Sequence, residues 1–132
     1  MHINEVTGKV VSAAIRVHSR IGPGLLESSY EACLRYELTK CGLRVVSQVP
    51  VPLIYDEVKL DIGYRIDLLV ENEVVIEIKA LESIMPVHEA QLLSHMRLSG
   101  RRVGFLMNFH VKMMRDGIKR MVDQFPAGGY EC

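Results

Sequence analysis

The stretch that decides the fold is YRIDLLVENEVVIEIK, which runs from Tyr64 to Lys79. It contains two apolar runs, YRIDLLV and VVIEIK, on either side of the polar triplet ENE at residues 71–73. Apolar, β-branched runs interrupted by a short polar segment predict two strands joined in a hairpin. Both strands are apolar enough to be central in a sheet, yet they contain Asp67, Glu77 and Lys79. Because charged groups in such strands need a specific partner, this hairpin is the strongest candidate for a functional site.

The length of the loop predicts the register of the hairpin. If ENE forms a three-residue loop, Val70 pairs with Val74. Counting back along both strands, Asp67 then lies directly across from Glu77, with the two Cβ atoms about 5 Å apart. Two facing carboxylates repel each other and are costly to desolvate unless a positive charge lies between them. Mg²⁺ prefers carboxylate oxygens and fits such a gap, and Mn²⁺ could substitute for it, so we predict Asp67 and Glu77 as metal ligands.

Lys79 lies one pleat beyond Glu77 and shares its strand face. There Lys79 would hold or deprotonate a metal-bound water and stabilise charge that develops on a phosphate. The alternative is that Glu77 and Lys79 face solvent on a half-exposed sheet, with Asp67 paired to a nearby base. The same register also puts Arg65 opposite Lys79, an unfavourable pair unless Arg65 turns toward a carboxylate or a bound phosphate.

The segment before these strands predicts a helix that carries a third carboxylate. Glu27 has i, i+3 and i+7 spacing with Tyr30 and Leu34, so it borders the buried face of that helix. Glu27 would then face the same cleft as Asp67 and Glu77, where it could bind an ion or hold a water. The alternative is that Glu27 lies in the first turn only to complement the helix dipole.

The segment after the hairpin predicts another helix, on which His88, Gln91 and His95 share one face. Gln91 could hydrogen-bond Lys79, a water or a substrate phosphate; the alternative is that it is a polar residue at the border of the helix. The two histidines are about 10 Å apart along the helix axis, too far to bind one ion directly. We therefore reject a zinc site there.

The rest of the chain predicts a mixed α/β domain. Periodic apolar residues predict helices over residues 3–19 and 25–41, and Pro86 begins a third helix that runs to about Ser99. The prolines in VVSQVPVPLIY indicate an edge or irregular strand, VGFLMNF a buried strand, and DGIKRMVDQF a short terminal helix. The resulting order, α-α-β-β-β-β-α-β-α, predicts one α/β domain over residues 1–132.

The charge of the chain is balanced but unevenly distributed. Sixteen Lys and Arg offset sixteen Asp and Glu, which argues against a protein that coats nucleic acid by bulk charge. With 48% hydrophobic and 24% charged residues, the composition excludes a disordered or fibrous chain. Only Asp116 is acidic between residues 97 and 120. The basic residues there predict a surface for a nucleic-acid backbone, or else a solvated helix and loop: Arg97, Arg101, Arg102, Lys112, Arg115, Lys119 and Arg120.

The cysteines and the N-terminus predict a cytoplasmic protein. The three cysteines are odd in number and form no CxxC pair, which argues against a disulfide scaffold or a zinc ribbon. The first residues, MHINEVTGKV, lack the apolar run of a signal peptide, and no stretch approaches the eighteen apolar residues of a membrane span.

Taken together, these motifs resemble the PD-(D/E)XK nuclease superfamily. RIDLLV, a short turn and VVIEIK carry the resemblance, with a Glu on the preceding helix and a Gln on the following one. The chain is also similar to the small GxxExxY protein family within that superfamily. The naming motif is GLLESSY at residues 24–30, and EIKA, the His88…Gln91 helix, GFLMNF and DGIKR accompany it. His95 stands where the family usually has an aromatic residue.

The resemblance implies a restriction-endonuclease-like mixed β-sheet flanked by helices. It implies that Asp67 and Glu77 hold Mg²⁺, that Lys79 assists the attacking water, and that Glu27 and Gln91 are accessory catalytic residues. The first functional hypothesis is therefore a metal-dependent phosphodiesterase that acts on nucleic acid, with DNA favoured over RNA. The second is a non-catalytic module that retains the fold and binds nucleic acid or protein, including as a homodimer.

Overall fold

The computed structural model describes residues 1–123. In this part of the chain, helices pack on both faces of one sheet. The elements in chain order are α1 (Ile3–Ile21), α2 (Glu27–Lys40), β1 (Val45–Tyr55), β2 (Val58–Val70), β3 (Val74–Lys79), α3 (Pro86–Ser99), β4 (Val103–Asn108), a 3-10 turn (Met114–Gly117) and β5 (Ile118–Val122). None of the helices in this part of the chain is long and apolar enough to cross a membrane.

The sheet is mixed, and its five strands follow chain order, β1-β2-β3-β4-β5. β3 and β4 are parallel, while the other neighbouring pairs are antiparallel. A parallel pair needs a crossover connection, and α3 supplies it. The predicted α/β class, a restriction-endonuclease-like mixed sheet flanked by helices, is thereby confirmed.

Apolar side chains on the two faces of the sheet form two clusters. On one face, α1 and α2 pack against the strands through residues such as Val10, Tyr30 and Ile76. On the other face, Leu92 and Met96 of α3 pack against Val75, Leu106 and neighbouring residues. Gly104 allows α3 to come close, since a Cβ atom there would lie 2.7 Å from the sulfur of Met96. Burial on both faces explains the continuous apolar run of β3.

Two details of the predicted element order are wrong. Three strands precede α3 instead of four, because β1 continues through Pro50 and Pro52 at the edge of the sheet, where a missing N–H is tolerated. The segment predicted as a terminal helix begins with the 3-10 turn and continues as β5. β5 pairs antiparallel with the free edge of β4, from Met107↔Ile118 to Val103↔Val122. This long-range pairing overrides the local helical pattern. Gln124 and Phe125 of that prediction lie outside the described residues.

The predicted register of the central hairpin is confirmed for the residues nearest the loop. Val70 pairs with Val74, and the pairing continues to Leu68↔Ile76, where the ladder ends. Glu71 and Asn72 turn the chain with left-handed φ angles of 52° and 57°. Because β2 leaves β3 at this point, the ladder does not bring Arg65 against Lys79, and Arg65 pairs with Pro50 of β1 instead.

Within the β1–β2 hairpin, the side chains of both strands change the face of the sheet on which they pack. On β1, Val45 packs against the α1–α2 cluster, while Val49 packs against the α3 cluster. On β2, Leu68 belongs to the first cluster and Ile66 to the second. Alternate residues of a regular strand share a face, so both strands must bend in between. On β1 the bend includes Gln48, whose φ of 54° is left-handed. On β2 it includes Asp67, which lies between Ile66 and Leu68.

Candidate active site

The candidate site lies where β2 and β3 separate, at the carboxyl end of β3. Past the last ladder pair, the backbone N–H of Ile78 donates to Oδ2 of Asp67 at 2.8 Å. The side chain of Asp67 therefore replaces the strand partner that β3 has lost. This bond holds the Asp67 carboxylate beside Glu77, and the structure brings together the two residues predicted to face each other.

Glu77 is a buried carboxylate, with only 6% of its surface exposed. Burial raises its pKa above the usual value, and the nearby negative charge of Asp67 raises it further. A hydrogen bond from His95 and the positive charges of His95 and Lys79 act in the opposite direction. Since burial prevails, the negative charge of Glu77 is only partly compensated by the protein, and a bound cation would stabilise it.

His95 is the partner of Glu77 on α3, and its role was not predicted from the sequence. Its Nδ1–H donates to Oε1 of Glu77 at 2.7 Å, and its ring centroid lies 5.7 Å from that of Tyr64. The histidine thus occupies the position where the resemblance leads one to expect an aromatic residue. The available signal was that His95 lies one helical turn after Gln91, on the face of α3 that packs toward β3.

The other histidine of this helix, His88, has a capping role. Its Nδ1 accepts a hydrogen bond from the backbone N–H of Met85 at 2.8 Å, at the N-terminus of α3. His88 and His95 therefore have different partners, the backbone of Met85 and the side chain of Glu77.

Glu27 reaches the site from the first turn of α2. Its Oε2 accepts a hydrogen bond from the backbone N–H of Ala80 at 3.1 Å, just past Lys79. Glu27 is exposed and lies in the first helical turn, so the helix-dipole interpretation and the cleft interpretation both describe its position. The structure brings it to the carboxyl end of β3.

Tyr30 explains how the loop before α2 holds Glu27 in place. The tyrosine is fully buried and stacks on Phe109, with ring centroids 4.5 Å apart. Its hydroxyl donates to the carbonyl of Gly22 at 2.6 Å and accepts from the N–H of Leu25 at 3.1 Å. One side chain therefore fastens both ends of the Gly22–Leu25 turn and fixes where α2 begins.

Lys79 and its neighbours are held by the adjacent strand. Lys79 is half-buried, and its carbonyl accepts a hydrogen bond from the N–H of Phe109 at 3.0 Å. Asn108, which pairs with Lys79, is buried and uses its side chain to bind both the N–H and the carbonyl of Leu81. These bonds fix the chain as it leaves β3. This role of Asn108 was not predicted, and no pattern in the sequence indicates it.

Two further polar residues at the site were not predicted, Glu31 and Gln48. Nε2 of Gln48 lies 2.7 Å from Oε1 of Glu31 and 3.4 Å from Oδ1 of Asp67. The pKa of Glu31 is raised above its usual value, chiefly by burial and also by the negative charge of Asp67, while the hydrogen bond from Gln48 acts in the opposite direction. Glu31 lies one turn after Glu27, so its position on α2 was a signal that the sequence contained.

Gln91 and most of the basic residues are not joined to this cluster. Gln91 is exposed on α3, and its side chain makes no hydrogen bond to another residue of the range 1–123. Arg101 donates to Asn72 and to the carbonyl of Ser99, and Arg102 is close by, at the loop end of the central hairpin. That end is about 16 Å from Lys79, because β3 rises by about 3.3 Å per residue.

The remaining basic residues have different surroundings. Arg97 pairs with Asp123 at 3.2 Å, and Lys119 pairs with Glu89 at 2.6 Å. Arg120 is exposed in the middle of β5, opposite Phe105. Two exposed residues, Lys112 and Arg115, follow the carboxyl end of β4, which is also the end of β3 that holds Lys79. The structure therefore brings only part of the predicted basic surface toward the site.

The donor set at this site fits a hard divalent cation. Within residues 1–123, no three His, Cys, Asp or Glu residues are grouped as a ready-made metal site. Mg²⁺, however, is commonly held by one or two carboxylates and completes its shell with water. Asp67 and Glu77 supply two carboxylates, and each carboxylate oxygen can accept more than one partner. Their mutual repulsion and the burial of Glu77 are what such an ion would relieve.

Comparison with models of protein families matches residues 4–121 to the PD-(D/E)XK nuclease superfamily. The matched region runs from α1 into β5 and includes Glu27, Asp67, Glu77, Lys79 and His95. Searches of curated proteins and of solved structures give no match.

Proposed function

Because this chain belongs to the PD-(D/E)XK nuclease superfamily, we propose that it is a Mg²⁺-dependent phosphodiesterase that hydrolyses nucleic acid. The observation that carries the proposal is the buried Glu77 beside Asp67, with Lys79 on the same strand face. A carboxylate kept in an apolar sheet at the cost of a raised pKa is typical of a functional site. We also propose membership of the GxxExxY family, which the structural role of Tyr30 in presenting Glu27 supports.

In this proposal, Asp67 and Glu77 hold the cation. A bound divalent cation would polarise the scissile phosphate and lower the pKa of a water molecule. Lys79 orients the attacking water and stabilises negative charge that builds up on the phosphate. Glu27 binds the N–H of Ala80 and so fixes the backbone that follows Lys79. Gln91 presents its amide at the surface of α3, where a substrate phosphate could accept from it.

We propose nucleic acid, with DNA favoured over RNA, as the substrate. Lys112 and Arg115 are exposed at the carboxyl end of the central strands, where they can contact backbone phosphates near the site. The other five basic residues between 97 and 120 are proposed as more distant backbone contacts. We also propose a cytoplasmic location, because three cysteines without a CxxC pair argue against a disulfide scaffold. The nuclease-like domain is proposed to extend over residues 1–132.

The test is cleavage of labelled DNA and RNA of several structures in the presence of Mg²⁺ or Mn²⁺. We expect Glu77→Ala and Lys79→Ala to lose at least about a hundredfold in rate while circular dichroism shows a folded protein. Glu73→Ala and Lys59→Ala, which replace exposed residues away from the site, serve as matched controls. Cleavage by both site variants at the wild-type rate would refute the proposal.

One observation favours a second candidate, a non-hydrolytic module that binds nucleic acid or protein, including as a homodimer. His95 already donates a hydrogen bond to Glu77 and offsets part of its charge without a cation. If His95 replaces the ion, the fold is retained without turnover. A titration of thermal stability with Mn²⁺ separates the two candidates, because an ion that binds only the folded state raises the unfolding midpoint. A rise that Asp67→Ala abolishes favours the enzyme, whereas no rise favours the module.

A further inference from the structure

Gln48 has an unusual backbone for a residue within a strand. Its φ of 54° is in the left-handed region, which disfavours residues other than Gly, Asn and Asp. The pairs Ser47↔Leu68 and Val49↔Ile66 flank it, so Gln48 stands opposite Asp67 without a regular pair of its own. Such conformations persist only where the surroundings enforce them, and they are concentrated at functional sites.

The side chain of Gln48 explains what this backbone achieves. Its Nε2 lies between two carboxylates, 2.7 Å from Oε1 of Glu31 and 3.4 Å from Oδ1 of Asp67. A primary amide has two N–H groups, so it can donate one hydrogen bond to each carboxylate. Because Glu31 is the closer partner, it anchors the amide on α2, and the amide then faces Asp67.

Asp67 is thereby held through both of its oxygens. Oδ2 accepts from the N–H of Ile78 at 2.8 Å, and Oδ1 faces the amide of Gln48. Two contacts on different oxygens fix the plane of a carboxylate, which one contact alone leaves free to rotate. Each oxygen retains a lone pair for a further partner.

We propose that Gln48 is a positioning residue that sets the orientation of the Asp67 carboxylate from its anchor on Glu31. The inference deepens the proposed function, since it rests on Asp67 as a metal ligand. A neutral donor suits this place: a carboxylate would add a third negative charge, and a lysine would compete with the cation. Partners of this kind orient metal-binding side chains and tune affinity for the ion.

The variants that test this role are Gln48→Met, which removes both donors, and Gln48→Gly, which also removes the disfavoured backbone. Asp56→Gly is the matched control. Asp56 has a similar φ of 55°, but it lies in the turn between β1 and β2, away from the site. We expect both glycine variants to keep or raise the unfolding midpoint, because glycine accepts this conformation.

Two readouts distinguish positioning from a general structural role. Hydrogen exchange of the Ile78 amide reports on its bond to Asp67 and needs no metal; we expect exchange to become about fivefold faster in both Gln48 variants. The affinity for Mn²⁺ should fall about tenfold in both. Asp56→Gly should change neither quantity.

The outcomes separate this inference from the proposed function. Unchanged Ile78 exchange in both Gln48 variants would overturn the positioning role, whatever the wild-type protein binds. If the wild-type protein binds no Mn²⁺ but Ile78 exchange is faster in both Gln48 variants, the positioning role is supported and the result counts against the proposed function. We expect faster Ile78 exchange and weaker Mn²⁺ binding in both Gln48 variants, with an undiminished unfolding midpoint in Gln48→Gly.

Discussion

His95 donates a hydrogen bond of 2.7 Å to Glu77, a carboxylate that is almost entirely buried between the sheet and α3. The bond satisfies one oxygen of Glu77 and leaves the other for a further partner. It also offsets only part of the effect of burial, because the pKa of Glu77 is still raised. This balance gives direct predictions for stability and for metal binding.

The pH dependence of stability should carry a contribution from Glu77. Its folded pKa lies above the unfolded value of 4.5, so the folded state binds this proton more tightly. The stabilisation is therefore complete below the unfolded pKa and is lost as the pH rises through the folded pKa. We expect Glu77→Gln to remove this loss and to raise the unfolding midpoint of the metal-free protein at neutral pH, by about 4 °C for each kcal/mol. Thermal melts from pH 4 to pH 8 measure it; identical pH profiles for the two proteins would contradict it.

Replacing His95 with Phe should expose the cost of burying Glu77. The ring can still contact Tyr64, but the carboxylate loses its donor, and its pKa rises further. We expect the metal-free variant to lose about 1–3 kcal/mol in free energy of unfolding at neutral pH. Mn²⁺ should restore part of this loss. Urea denaturation with and without Mn²⁺ is the measurement, and His110→Phe, at an exposed histidine, is the control. Equal stability of wild type and His95→Phe would show that the bond contributes nothing.

Tyr30→Phe should loosen the presentation of Glu27 without creating a cavity. The variant keeps the stacking on Phe109 and removes the two hydrogen bonds to the Gly22–Leu25 turn. We expect a loss of about 1–2 kcal/mol in stability and a lower rate of cleavage. Tyr36→Phe is a matched control, because Tyr36 lies on the same helix but is exposed. The explanation of the turn fails if the two variants behave alike.

The basic residues near the site should contribute more to nucleic-acid binding than those at the far end of the sheet. We expect Lys112→Ala and Arg115→Ala each to weaken binding and to reduce the slope of log K against log salt by about 1. Arg102→Ala, at the opposite end of β3, is the comparison. Fluorescence anisotropy at several salt concentrations measures these slopes. A larger effect of Arg102→Ala would place the binding surface elsewhere.

The sequence was most informative where local rules determine the structure. A three-residue loop sets the register of the central hairpin, and Val70 pairs with Val74 as that rule predicts. Helical periodicity and Pro86 located the three helices to within a few residues. The position of Asp67 beside Glu77 followed from the same counting, although the ladder ends one residue earlier and a side-chain bond to Ile78 takes its place.

The sequence was least informative where distant segments meet. β5 forms because β4 offers a free edge, which no local pattern in residues 118–122 reveals. Gln48 reaches Asp67 only because both strands bend at that point, and His95 reaches Glu77 only because α3 crosses over the sheet. The grouping of the basic residues also depends on which end of the sheet each one occupies.

The most direct test of the account is a crystal soaked in Mn²⁺ and measured with anomalous scattering. We predict an anomalous peak that contacts carboxylate oxygens of both Asp67 and Glu77, and its absence from crystals of Asp67→Ala prepared in the same way. Crystals of the wild-type protein with no anomalous peak between these two carboxylates, and with their side chains turned away from each other, would contradict the account.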